Sequence, residues 1–356
     1  MPTAVRHFEK AAVDRVLSSA QFINAHSLDV SVPKDGVQRA AQQILERMQK
    51  LGYSTADWKK HTLTPSLADH AAIEWIFVVD ALNFSFWSSQ ACDKQYSVTL
   101  DGTTYRGYWT LCAAVNRALR EGIPITDARF CGSASDAELE HVFRGDAGKE
   151  AMPLLDSRLR VLREVGSVVV EKYGGRFANV VERAQGSARQ LVDLVVSEFG
   201  CFRDEHSFRG QAVFMYKRAQ ILVADIWACF EGKGLGRFDD IDSVTMFADY
   251  RVPQALCHFG ALSYSPRLLE HLRSSERAVR EEGEIPSLLL PSGHEWEVEI
   301  RGNSIWAVEL IRRHMEMESG MRVNAILIDF YMWDYSKEFA KEMADIPIHL
   351  TRSINY

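Results

Sequence analysis

The stretch TMFADYRVPQ (Thr245 to Gln254) places a carboxylate, Asp249, in an apolar helical register between Phe247 and Tyr250, two residues before Arg251. There it is either a helix-surface charge paired with its neighbours or a reagent held in a dry place. Four other stretches also mix buried-type aromatics with charges in a way that a plain core does not need. VVDALNFSFW sets Asp80 and Asn83 beside Phe84, Phe86 and Trp87, faces suited to stacking a flat heterocycle with polar tips to bond its edge. FMYKRAQILVADIW carries Lys217 and Asp225 eight residues apart, and so near one helix face. WEVEIRGNSIWAVEL brings Glu297, Glu299 and Arg301 into a helix, and IDFYMWDY holds Asp329 and Asp334 among Phe330, Tyr331, Trp333 and Tyr335. Taken singly, each charge reads as a member of a structural ion pair. Taken together, they point to a polar pocket inside an apolar body.

Helical periodicity dominates the elements that must position these groups. In VQRAAQQILERMQKLG, Val37, Ala41, Ile44, Met48 and Leu51 recur at helical spacing and Gly52 is a plausible stop. Similar patterns predict helices around 5–24, 66–82, 108–121, 153–165, 178–199, 210–230, 245–258, 266–281, 299–318 and 336–344. Ser135 and Glu138 form a capping-box signature that opens another helix. The best strand signal is YSVTLDGTTYRG, with Asp101-Gly102 as a hairpin turn, and NAILIDFYMW reads equally as strand or buried helix. The stretches 232–242 and 281–295 read as loops within the fold. The expectation is a mainly α protein with a small β-hairpin near 96–106, one domain over 1–356 built as one body with two lobes.

Composition narrows the function classes. The chain has 356 residues, 47% apolar and 25% charged, as folded globular proteins do. A net charge of -7 and no basic run argue against a stable complex with nucleic acid, which needs a local Lys/Arg excess. WIFVVDALNFSFW is too short to span a bilayer and is broken by Asp80 and Asn83, and MPTAVRHFEK shows no secretory signal. A cytoplasmic protein is expected, with the nucleus as a second compartment and no membrane partner. Six scattered cysteines without a C-x-x-C pair fit reduced thiols, and no metal or cofactor site is expected. GKGLG lacks the G-K-[ST] ending of a P-loop and follows a helix rather than a strand, so it reads as a turn joining the helices of Lys217 and Asp249.

The stretches DALNFSFW, YWTLCAAVNRALREGIPITD, LRVLREVG, YKRAQILVAD, MFADYRVPQ, EIRGNSIWAVELI, DFYMWDY and IPIHLTRSINY resemble the queuosine salvage family over nearly the whole chain. The resemblance implies a hydrolase that cuts the N-glycosidic bond of queuosine 5′-monophosphate, releasing queuine and ribose 5-phosphate for salvage into tRNA modification. It further implies a helical fold similar to helix-hairpin-helix DNA glycosylases, with their Lys/Asp pair falling on Lys217 and Asp249. An acidic protein suits a free nucleotide substrate rather than a polynucleotide. Oligomeric state is left open by these residues.

On that reading Asp249 stabilises the oxocarbenium-like state and orients or deprotonates water, or forms a covalent intermediate; the residues do not choose between these. It needs a nearby cation, with Lys217 the best candidate and Arg251, also an expected substrate contact, second. Arg251, two positions along a presumed helix, should point elsewhere. Asp80 and Asn83 are candidates for the base edge, with Phe84, Phe86 and Trp87 for its faces. Asp329 or Asp334, beside Trp333, would receive the amine of queuine. His258, Arg301 and Lys217 are candidates for the phosphate. Phe238 and Asp239 in the glycine-rich loop complete the expected substrate contacts. Two alternatives remain: a glycosylase acting on polynucleotide, and a helical binder or sensor of queuosine-type nucleosides that does not cut them.

Overall fold

Where apolar spacing and end signals agree, helices form as the sequence predicts. The computed structural model describes residues 11–283 and 286–356. The reading of MPTAVRHFEK, the start of the 5–24 pattern and Glu284-Ile285 within the 281–295 loop lie outside the described residues. The helix Lys34–Leu51 stops at Gly52, which adopts the left-handed φ of 61° that a C-cap favours. Asp136–Val142 opens on the reciprocal Ser135/Glu138 capping box. Val98–Leu100 pairs antiparallel with Thr103–Tyr105 around the Asp101-Gly102 turn. NAILIDFYMW resolves as helix, Ala325–Glu338, with the Asn324 side chain accepting from Leu327 N.

The long helix Glu295–Ser319 is the axis of the fold, and Ala12–His26 and Lys34–Leu51 pack on it. Gly302 allows the first contact, because a Cβ there would lie 2.5 Å from the Ile23 side chain. On the other side, Lys217–Cys229 packs on His70–Ala81 and Val252–His258 on Ala325–Glu338. One apolar core joins these helices from Ala12 to Met343, and a small second cluster gathers Trp87, Val279, Ile348 and Leu350. Strands occur only as antiparallel pairs, so the mainly α architecture holds among the described residues. No described helix is long and apolar enough to cross a membrane.

Several predicted boundaries are corrected. The 178–199 pattern is two helices, Ala178–Arg183 and Ala188–Glu198. They are separated by Gly186, and Asp240 accepts from Ala188 N. The 210–230 pattern begins as a strand: Gln211–Phe214 pairs with Glu205–Phe208 through Arg209 and Gly210, both at positive φ. Its helix starts only at Lys217. The 336–344 pattern is the end of the Ala325–Glu338 helix followed by turns.

The largest correction concerns 245–258. Only Val252–His258 is helical, and Val244–Asp249 is irregular. The cause lies in Asp249, whose Oδ1 accepts the N–H groups of Arg251 (2.7 Å) and Val252 (2.8 Å). Such a side-chain turn competes with continuous helix and instead opens the next one, where Pro253 suits the first turn. GKGLG therefore joins the Lys217 helix to an irregular segment, not to a helix bearing Asp249.

Candidate active site

A segment without regular structure must be held by its surroundings, and Val244–Asp249 is held at three points. Gln220, in the first turn of the Lys217 helix, accepts Thr245 N through Oε1 at 2.9 Å. Asp329 Oδ1 accepts Phe247 N at 2.9 Å. Arg301 Nε donates to the Ala248 carbonyl at 2.9 Å. Asp249 follows directly, and its second oxygen, Oδ2, takes no hydrogen bond from any described residue.

This carboxylate lines a cavity of about 350 Å³. Lys217 lines it too, brought there by the start of its helix: Asp204 accepts Lys217 N at 3.2 Å, and Tyr216 before it sits at a left-handed φ of 48°. Lys217 Nζ donates to both the backbone and side-chain oxygens of Asn83, each at 3.1 Å. Burial lowers the pKa of Lys217, and the charge of Asp249 is the strongest opposing influence, followed by Asp80.

Two further carboxyls share the wall. Asp225 and Asp329 are both pushed well above the usual carboxylate range, chiefly by burial. A neighbouring negative charge adds to this, from Asp80 for Asp225 and from Asp249 for Asp329. Burial thus favours the neutral, hydrogen-bond-donating form of each. Aromatic rings form the rest of the enclosure. Trp109 stacks on His61 with centroids 3.4 Å apart, and Tyr108 and Trp333 meet edge to face at 6.0 Å. Phe86 adds its edge to Tyr108 at 5.9 Å. Cations and an acid mark the mouth: Arg251 and Lys337 have no carboxylate within ion-pair distance among the described residues, whereas Asp334 Oδ2 accepts from Tyr53 OH at 2.5 Å.

Four of the five aromatic-and-charge stretches supply this cavity. They bring Asn83, Phe86, Lys217, Asp225, Asp249, Arg251, Asp329, Trp333 and Asp334 into one wall. Arg251 does not point elsewhere, because the helix assumed for it is absent. The fifth stretch stays out. Glu299 binds the N–H groups of Leu28, Asp29 and Val30, and Arg301 is fully buried between Asp204 and Glu297, its charge already matched.

Other residues expected at the substrate do not line this cavity. Asp80 lies behind the wall, accepting from Asn83 Nδ2 at 3.3 Å. Phe84 is clamped in the core between Arg158 and Arg218, and Trp87 lies under Arg352 with Nε1 on the Thr351 carbonyl. Phe238 is core, while Asp239 is an exposed partner of Arg237. His258 bonds Tyr335 OH outside the cavity.

A polar, aromatic-walled cavity with a Lys/Asp pair is compatible with several chemistries, and comparison with known proteins decides among families. The family model described as queuosine salvage protein matches residues 63–356. The chain belongs to the queuosine salvage family. A Mus musculus protein named queuosine 5′-phosphate N-glycosylase/hydrolase is 46% identical over 345 residues, 95% of this chain and 97% of the mouse protein. Relatives of the same name in Schizosaccharomyces pombe and Sphaerobacter thermophilus are 43% and 39% identical. They cover 92% and 89% of this chain and 92% and 91% of their own lengths.

For this member of the queuosine salvage family, sequence reasoning overlooked a whole wall. Tyr53, Asp57, Trp58, Lys60, His61 and Thr64 line the cavity, as do Tyr108, Trp109, Lys337 and Tyr356. The signal was present in YSTADWKKHT, the same mixture of aromatics and charges used elsewhere. Lys337 was also legible as the residue one helical turn beyond Trp333.

Proposed function

We propose that this protein hydrolyses the N-glycosidic bond of queuosine 5′-monophosphate to queuine and ribose 5-phosphate, with Asp249 and Lys217 at the reacting centre. The observation that carries the reading is the pairing of Asp249, with one uncommitted oxygen, and Lys217 in a cavity whose buried Asp225 and Asp329 are pushed toward their neutral forms. The C1′–N bond breaks with its electron pair going to the base. Asp249 stabilises the positive charge that develops on the sugar and takes a proton from the water whose oxygen bonds to C1′. The base nitrogen takes up a proton from solvent, and Asp249 returns the proton of water to solvent, so the protons balance. Because a 7-deazaguanine has no N7 to protonate, help for its departure comes from hydrogen bonds to Asp225 and Asp329, whose neutral forms burial favours. Asn83, by contrast, is committed to holding Lys217.

The test is incubation with the monophosphate and chromatography of queuine. Stoichiometric release supports hydrolysis, while tight binding without release makes the protein a binder. A much faster reaction on queuosine within tRNA moves the activity to polynucleotide.

Arg251 and Lys337 fit the 5′-phosphate, being cavity cations without carboxylate partners among the described residues. Loss of water and the nearby Arg251 charge lower the Lys337 ammonium to about 8. A bound dianion favours its charged form, so affinity is full below about pH 8 and fades as pH rises through it. Arg251→Ala and Lys337→Ala should each raise KM for the monophosphate at least about tenfold. Activity on the nucleoside should stay unchanged. Equal losses on both substrates would remove the phosphate role. At the Tyr53 end, Asp334 suits the amine of queuine. For Asp334→Asn the expected KM rise is confined to substrates that carry that amine, and a rise for an analogue lacking it would count against the assignment.

A further inference from the structure

Arg301 is fully buried, yet it does not line the cavity. Its guanidinium is committed on every side. Nη1 and Nη2 grip both oxygens of Asp204, at 3.0 and 2.5 Å, and Nη1 also reaches Glu297 at 3.1 Å. Nε donates to the Ala248 carbonyl at 2.9 Å, and the guanidinium carbon lies 4.1 Å from the ring centre of Tyr356, a cavity residue.

Two of these partners lead directly to the reacting pair. The Asp204 oxygen held by Nη2 is the one that accepts the N–H of Lys217. Ala248 is the residue before Asp249. Lys217 opens a helix from a left-handed residue and Asp249 ends an irregular segment, so neither backbone is placed by its own secondary structure. Burying an arginine with two carboxylates costs desolvation that an apolar cluster would avoid, so stability alone is a weak reason for it.

We infer that Arg301 is a positioning residue that fixes the spacing of Lys217 and Asp249 by holding Asp204 with one edge of its guanidinium and the Ala248 carbonyl with the other. This rests on the roles proposed above for Lys217 and Asp249. A planar fork spans both partners, whereas a lysine at 301 keeps the charge but presents a point donor. Glu297 is the internal comparison: it shares the same guanidinium and is equally buried, but touches neither Lys217 nor the segment before Asp249.

The experiment compares wild type, R301K, E297Q, D249N and the double variant R301K/D249N, with kcat and KM for the monophosphate and thermal midpoints measured on each. For R301K, kcat should fall on the order of a hundredfold while KM changes less than about threefold. E297Q should lower the thermal midpoint yet keep kcat within about threefold of wild type. In the D249N background, R301K should lower the residual rate by less than about twofold, because the spacing of the Lys217 and Asp249 charges no longer matters once one charge is lost. Multiplying effects in the double variant, or a kcat loss in E297Q equal to that in R301K, would overturn the inference. So would a folded R301K with wild-type kcat while D249N is slow. Near-normal D249N would instead remove the underlying reading. Should R301K not fold, Asp204→Asn enters the same cycle with the same expected outcomes.

Discussion

Asp249→Asn should release queuine from the monophosphate at least about a hundredfold more slowly than the wild-type protein. The substitution isolates charge from structure. Both backbone N–H groups that Asp249 accepts fall on Oδ1, and an asparagine offers that oxygen unchanged. The turn that opens Val252–His258 is therefore kept, and the thermal midpoint should stay close to wild type. What disappears is the negative charge proposed to face the sugar and to accept the proton of water. Measured by single-turnover release of the base, the loss should fall on the chemical step with substrate affinity nearly intact. A folded Asp249→Asn variant with near-normal turnover would remove this carboxylate from the mechanism.

Lys217→Met ranks second, with an expected fall in kcat of about ten- to a hundredfold. Methionine fills much the same apolar volume but cannot donate to Asn83, and it removes the buried cation whose charge interacts with Asp249. The loop end Asn83–Phe86 also loses its tie to the Lys217 helix. The partition between constants carries the meaning. A lowered kcat places Lys217 at the reacting centre. A raised KM with unchanged kcat would make it a phosphate ligand, the role proposed for Arg251 and Lys337.

Which parts of this molecule were legible depended on how locally each was determined. Lys34–Leu51 with its Gly52 stop, the Ser135/Glu138 box and the Asp101-Gly102 hairpin are each specified by residues within a few positions, and all are found as expected. Asp249 itself stood out by type and company, but its conformation did not. Phe247 and Tyr250 are spaced like neighbours on a helix, and the helix is defeated by the N–H groups of Arg251 and Val252 donating to Asp249 and by hydrogen bonds to Gln220, Arg301 and Asp329 from afar. The VVDALNFSFW stretch misled for a related reason. Beyond Leu82 the chain leaves the helix, so Asn83 and Phe86 face the cavity while Phe84 and Trp87 turn into separate apolar clusters. Arg301 was noticed for its charge and assigned to phosphate, since nothing near it in sequence reveals that Asp204 already holds it.

The three hooks on Val244–Asp249 come from residues 220, 301 and 329, and the last two lie well downstream of the segment they hold. The peptide that presents Asp249 thus has no shape that belongs to it alone. No fragment that stops short of the Ala325–Glu338 helix can present Asp249 in this way, however well its own helices form. In that sense the proposed chemistry is indivisible: trimming the chain would remove Arg301 or Asp329, which hold the segment leading to Asp249.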